Sequence, residues 1–220
     1  MTIIDLTHPI TPDMPVYPGT EGPKLTPANT CERDGFRETL LTLYSHTGTH
    51  MDAPAHLYAG GMSLDRFPVS RFVGPAVVID CSELQEGQTI TMDHIEGQRE
   101  AAERAEFLLF RTGWERYWGR DAYFGDYPCI GLEVVDYVLK AGKKGVGFDT
   151  IGLDPIADAN LTRHKKLLAG NAPVVIENLK NLDRLGSGLF TLCALPLHYQ
   201  DADGAPVRAV AILDGGPSGS

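Results

Sequence analysis

The sequence predicts an α/β fold of mixed α+β character: one domain with a mixed β-sheet core flanked by helices. Three observations carry that reading. Short continuous apolar runs, residues 75–80 (PAVVID) above all, have the composition of strands buried on both faces. Helical patterns alternate with such runs in the middle of the chain, whereas strand patterns dominate both ends. The chain has 220 residues, 43% hydrophobic and 22% charged, enough for one sizeable core. No repeat or low-complexity linker divides it. The domain is expected to span residues 1–214, with residues 215–220, Gly-Gly-Pro-Ser-Gly-Ser, as a disordered tail.

Residues 3–6 form the first short strand pattern. Pro9, Pro12, Pro15 and Pro18 then forbid regular structure and predict an ordered surface arm. Residues 36–45 alternate polar and apolar side chains, as a strand does, and deliver the chain to His46. After the buried strand at 75–80, Thr91 can cap a helix running to about residue 105. Residues 107–110 are a second buried strand. Residues 132–140 are amphipathic, with Val134, Val135, Val138 and Leu139 on one side and Gly142 as a stop. A short strand follows at 145–149 and a short helix carrying His164 at 161–169. Residues 173–176 (PVVI) make a strand leading into Glu177. Residues 189–195 and 207–213 complete the set.

The segment from Ser45 to His56, SHTGTHMDAPAH, holds three of the seven histidines and one carboxylate. His46, His50, Asp52 and His56 all occupy even positions, so on an extended chain they face one way. Full extension would separate His46 from His50 by roughly 13 Å, too far for two imidazoles to share one ion at about 2.0–2.1 Å. Thr47, Gly48, Thr49 and Pro54 argue against a helix. The segment therefore reads as a curled loop, bent at Gly48 and Pro54, that gathers imidazoles and a carboxylate around a metal. His164, and Glu177 at the end of an apolar strand, are candidates to complete the site, though spacing alone does not join them to the cluster. Arg111 and Asp149 also end strands, and loop hydrogen bonding is the better reading of both.

The formal charge is −10, from 19 basic and 29 acidic residues. No basic run or stripe is present, so nucleic acid is not an expected partner. Cys31, Cys81, Cys129 and Cys193 lie far apart and form no C-x-x-C pair, which leaves a thiolate zinc site unsupported. The first residues lack a basic region followed by a long apolar stretch, and no run of about 18 apolar residues occurs; no membrane association and a cytoplasmic location are expected. G-x-G-x-x-G, G-x-x-x-x-G-K-[ST] and G-x-S-x-G are all absent from the sequence.

The pattern H-x-G-T-H-x-D-x-P-x-H over His46–His56 resembles the signature of the metal-dependent cyclase/hydrolase family, which includes bacterial kynurenine formamidases and isatin hydrolases. The stretch from His164 through Glu177-Asn178-Leu179 to Leu182 is similar to the second motif of that family. The resemblance runs from Asp5-Leu6-Thr7 to the last strand. It implies a swivelling β/β/α fold, a homodimer or higher homo-oligomer, and a small-molecule substrate. In the formamidase branch it also implies two metal ions, zinc first and manganese as the other candidate. His46, His50 and Asp52 would hold the first metal. Asp52 would bridge to a second held by His164, with Glu177 completing the bridge, and His56 would be the general acid/base. N/O donors without thiolate suit either ion. The family's substrate-contacting aromatic, commonly Trp in P-x-W-P-G-D, corresponds to Tyr17 in Pro15-Val16-Tyr17-Pro18-Gly19-Thr20; Tyr17 can still stack on an aromatic ring.

The activity so implied is hydrolysis of a small aryl amide by a metal-bound water. The leading expectation is conversion of N-formylkynurenine to kynurenine and formate, a step of tryptophan catabolism. A cyclic-amide hydrolase of the isatin type and a polyketide-type cyclase are the alternatives among enzymes. Outside enzymes stands a non-catalytic metal-binding protein, which would have no use for His56.

Overall fold

The computed structural model describes residues 1–170 and 173–213; the expected tail at 215–220 lies outside the described residues. In chain order the strands and helices are β1 (Thr2–Asp5), β2 (Lys24–Asn29), α1 (Cys31–Asp34), β3 (Glu38–Thr42), β4 (His50–Asp52), β5 (Val73–Asp80), β6 (Thr89–Ile90), α2 (Met92–Glu96), α3 (Arg99–Arg104), β7 (Phe107–Arg111), β8 (Cys129–Ile130), α4 (Leu132–Lys140), β9 (Gly145–Phe148), α5 (Thr162–Leu168), β10 (Val174–Glu177), β11 (Phe190–Pro196) and β12 (Gly204–Leu213).

The main sheet runs β1-β12-β11-β5-β7-β9-β10-β4, and β4 pairs a second time with β12. The mixed sheet thus closes into a barrel, with β5, β7, β9 and β10 parallel and the remaining pairs antiparallel. The parallel strands bury almost every residue, which is why they read as unbroken apolar runs. One core fills the barrel interior around Met51, Phe107, Ile176 and Leu192. A second lies between the parallel strands and the helices, where α4 contributes Val134, Val135 and Val138. An aromatic cluster around Trp114, Tyr123 and Tyr127 forms a third, smaller core. No helix of the described residues is long and apolar enough to cross a membrane.

Three expectations need correction. The helix from Thr91 is broken: Thr91 forms a capping box with His94, but α2 stops at Glu96, and Gly97 and Gln98 separate it from α3. The strand at 36–45 is shorter and does not join the barrel. It pairs only with β2, a strand the sequence pattern did not signal, in a hairpin exposed on both faces. The third is the segment 46–56. It curls where expected, with Gly48 at φ 66° and a 3₁₀ turn at Pro54–His56, but between those bends residues 50–52 are a strand of the sheet.

Candidate metal centre

β4 is only three residues long, yet it seals the barrel by pairing with β10 on one side and β12 on the other. Strand alternation sends Met51 into the barrel core, fully buried, and turns His50 and Asp52 to the opposite face. The register sets Glu177 directly across from His50, so their side chains share that face. The Nε2 of His50 lies 3.4 Å from Oε2 of Glu177 and 3.3 Å from Oδ1 of Asp52.

His164 arrives from the first turn of α5. Asp154 accepts the backbone N–H groups of Arg163 and His164 at 2.8 and 3.0 Å and also meets Nδ1 of His164 at 2.8 Å. That leaves Nε2 of His164 facing Glu177 Oε1 at 3.1 Å and Asp52 Oδ2 at 3.4 Å. His46 enters from the bend before β4, with Nδ1 2.7 Å from Asp52 Oδ1. Asp52 therefore lies between His46 and His50 on one oxygen and His164 on the other. Asn178, at φ 58° just after Glu177, ties the bend down: its Nδ2 donates to the Gly48 carbonyl at 2.9 Å and its own carbonyl accepts from Thr49 Oγ1 at 2.6 Å.

These groups line one cavity of about 660 Å³ together with His56, Tyr17, Tyr44 and Ile151, a size that suits a small organic ligand. The His56 ring lies 4.0 Å from that of His46, centroid to centroid. Tyr17 reaches the cavity from the Pro-rich arm, and burial, then the Glu177 charge, raises the pKa of its hydroxyl. Every residue assigned to the site from the sequence, Tyr17, His46, His50, Asp52, His56, His164 and Glu177, thus lines this cavity. Arg111 and Asp149 do not line it. Arg111 pairs with Asp80, and Asp149 accepts from Thr112 and Gly113. Two residues escaped the sequence reading. Asp154 orients His164, and Asp203 sits 3.0 Å from the outer nitrogen of His46. The signals available were slight: a carboxylate ten positions before His164, and one just ahead of a strand.

The electrostatics call for a cation. Among the described residues, the ion-pair partners of Asp52 and Glu177 are imidazoles alone, and both carboxylates are buried. Burial disfavours charge on His50, but Asp52 and Glu177 more than offset it and raise its pKa to about 10. His46 is likewise opposed by burial and held up to about 9 by Asp52 and Asp203. For His164 burial is outweighed by Asp154, Asp52 and Glu177. Among the described residues, protons on these imidazoles are the counter-charge paired with the two carboxylates, and a divalent ion can take their place. The donor atoms of His46, His50 and Asp52, and those of Asp52, His164 and Glu177, each lie within 4.8 Å of one another. Nitrogen and carboxylate donors in groups of three fit a divalent metal.

Such a site, set at the strand ends of a closed mixed sheet, places the protein in the class of metal-dependent hydrolases. The comparisons narrow this. Residues 4–155 match the Cyclase family model. The kynurenine formamidase of Bacillus thuringiensis (strain Al Hakam) is 33% identical over 94% of this chain and 95% of that protein. That of Salinibacter ruber (strain DSM 13855 / M31) is 34% identical over 96% and 97%. Among solved structures, an isatin hydrolase bound to the product analogue thioisatinate superposes with a TM-score of 0.84 at 26% identity, covering 96% of this chain and 92% of that one. The chain belongs to the Cyclase family, and it is a hydrolase that depends on a divalent metal.

Proposed function

We propose that the protein hydrolyses a small aryl amide, N-formylkynurenine foremost, to kynurenine and formate. The observation that carries this reading is the pair of three-donor groups joined through Asp52, opening on a cavity that also holds a fourth imidazole and an aromatic side chain. His46, His50 and Asp52 hold one ion, zinc in the first instance and manganese as the alternative; Asp52, His164 and Glu177 hold a second. A divalent metal held by these residues would supply Lewis-acid polarisation of the amide carbonyl and a lowered pKa for the attacking water.

The chain's own residues supply the rest. Tyr17 stacks on the aryl ring and presents the amide to the donors. His56 accepts the proton of the attacking water and passes it to the departing nitrogen as the C–N bond breaks, so formate and the free arylamine leave. It suits that task because its ring lies 4.0 Å from that of His46 and 6.4 Å from that of His164 without belonging to either donor group joined through Asp52, although its own donor atom also lies within 4.8 Å of donors of His46 and Asp203. A cyclic amide of the isatin type is the second reading, favoured by the superposition with an isatin hydrolase; the same residues would open the ring. The protein acts as a homodimer in the cytoplasm. The first point is supported by the exposed hairpin and the second by four unpaired cysteines, which suit a reducing compartment.

The deciding experiment follows release of kynurenine from N-formylkynurenine by zinc- or manganese-loaded protein, with His56→Ala and isatin run in parallel. Turnover that disappears with chelator, and falls by about 10²–10⁴-fold in His56→Ala with metal retained, supports the formamidase. Inert formamide with rapid isatin opening transfers the reading to the cyclic amide. Loss of neither activity on His56→Ala overturns the role given to that residue.

A further inference from the structure

We propose that Asp203 and Gly204 form a positioning seat for His46, and that Asp203 couples this imidazole to His56. The inference rests on the ligand and acid/base roles proposed above.

Each of the three imidazoles assigned to metal has its second ring nitrogen engaged. His50 Nδ1 meets the Gly48 carbonyl at 2.8 Å, His164 Nδ1 meets Asp154 at 2.8 Å, and His46 Nε2 meets Asp203 Oδ2 at 3.0 Å. Such outer partners fix the tautomer and the ring plane of a metal-binding histidine. Asp203 is itself held from several directions. Its Oδ2 accepts from Ser45 Oγ at 3.2 Å and its backbone carbonyl from Ala53 N–H at 3.0 Å, while the Tyr199 hydroxyl, which donates to the Gly204 carbonyl, lies 3.2 Å from its Oδ1.

Gly204 supplies the floor. It opens β12 opposite Asp52, and the His46 ring turns its Cε1 edge towards it: a Cβ there would collide with the ring, with both nitrogens only 2.8 Å away. Only glycine lets the imidazole lie where Nδ1 faces Asp52 while Nε2 faces Asp203.

Asp203 differs from the other outer partners in two ways. Its side chain is 43% exposed, on the wall of the cavity, and the same Oδ2 stands 4.0 Å from His56 Nδ1. One carboxylate oxygen therefore faces both a proposed ligand and the proposed acid/base. A small rotation of His56 brings its N–H within hydrogen-bond distance, fixing the ring while its other nitrogen faces the substrate.

The test uses full-length apo-protein. Zinc affinity is measured by competition with a chromophoric chelator for the wild type, Asp203→Asn, Gly204→Ala, His50→Ala and, as a surface control, Asp201→Asn. Circular dichroism checks that each variant folds. kcat and KM are then measured at saturating zinc on N-formylkynurenine, or on isatin if the formamide is inert. The seat predicts that Asp203→Asn weakens zinc binding by about 10–100-fold and lowers kcat about tenfold with KM within about twofold. Gly204→Ala should weaken zinc at least as much, and Asp201→Asn should change neither quantity. Wild-type zinc affinity and kcat in Asp203→Asn, with binding lost in His50→Ala, would overturn the seat and leave the metal reading standing. Wild-type zinc affinity in His50→Ala would overturn the metal reading, and the seat with it.

Discussion

His8 shows how much a single buried ring can matter to the response of this protein to acid. It stacks on Trp118 with the ring centroids 3.8 Å apart and the planes 7° from parallel, and its buried Nε2 has no hydrogen-bond partner among the described residues. Burial first, and then the nearby Lys180 charge, lowers its pKa from 6.5 to about 4. Folding therefore favours the neutral ring. That contribution is complete above about pH 6.5 and is lost as the pH falls towards 4, because only the unfolded chain takes up the proton readily. His8→Phe keeps the stacking and removes the titration. Between pH 7 and 4.5 the variant should lose about 2 kcal/mol less unfolding free energy than the wild type, read from urea melts of both apo-proteins; equal losses would refute the assignment. Residues differed in how far the sequence revealed them. His46, His50, Asp52 and His56 were legible because ligand chemistry is packed into eleven positions. Asp154 and Asp203 were not, since one acts by capping α5 and the other through the register of β12 against β4. Neither relation has a local pattern.

At the scale of elements, the hairpin of β2 and β3 is the part the sequence misjudged most. Alternation in 36–45 suggested a strand leading to His46, yet Leu40 and Leu41, on opposite faces, are 59% and 56% exposed. Leu25, opposite Leu41, and Phe36 are exposed as well. A two-stranded ribbon with apolar residues on both sides is marginal alone in water, and an exposed apolar patch of this kind marks an interaction surface. The alternation was thus real, and the homodimer proposed above would supply the surface that answers it, which no single-chain pattern could reveal. The double variant Leu40→Glu, Leu41→Glu should convert a dimer to a monomer in light scattering while leaving the circular dichroism unchanged. A dimer that survives both charges would remove the hairpin from the interface. The helices argue the opposite way. α4 was legible to the residue because its apolar stripe and Gly142 mark both its face and its end, whereas the split between α2 and α3 hangs on Gly97 and Gln98, too local a signal for a pattern read over four turns.

For the whole molecule, the fold class was legible and the closure was not. Apolar runs separated by helices announce a mixed sheet, but that β12 would pair with both β11 and β4 depends on its ten-residue length and on where Gly204 falls. The consequence reaches function. The strand that seals the barrel is also the strand that carries His50 and Asp52, so the proposed metal donors draw together β4, β10, α5 and the bend before β4. In the absence of metal, Asp52 and Glu177 face three imidazoles, and among the described residues the protons on those rings are their counter-charge. A divalent ion bound there belongs to the folded state alone, because the unfolded chain has no such array, and it must stabilise the whole barrel. At a free metal concentration about a thousandfold above Kd the gain is about 4 kcal/mol. For a chain of this length that corresponds to a rise in melting temperature of roughly 8–16 °C. Zinc or manganese added to chelator-treated protein should raise the calorimetric melting temperature by that amount, and an excess of EDTA should reverse it. Asp52→Asn should abolish the rise, since the residue shared by both donor groups is lost. Should the melting temperature stay within about 2 °C with either ion, the strand that closes the barrel is held by its own hydrogen bonds alone, and the proposed donors do not bind metal in the folded protein.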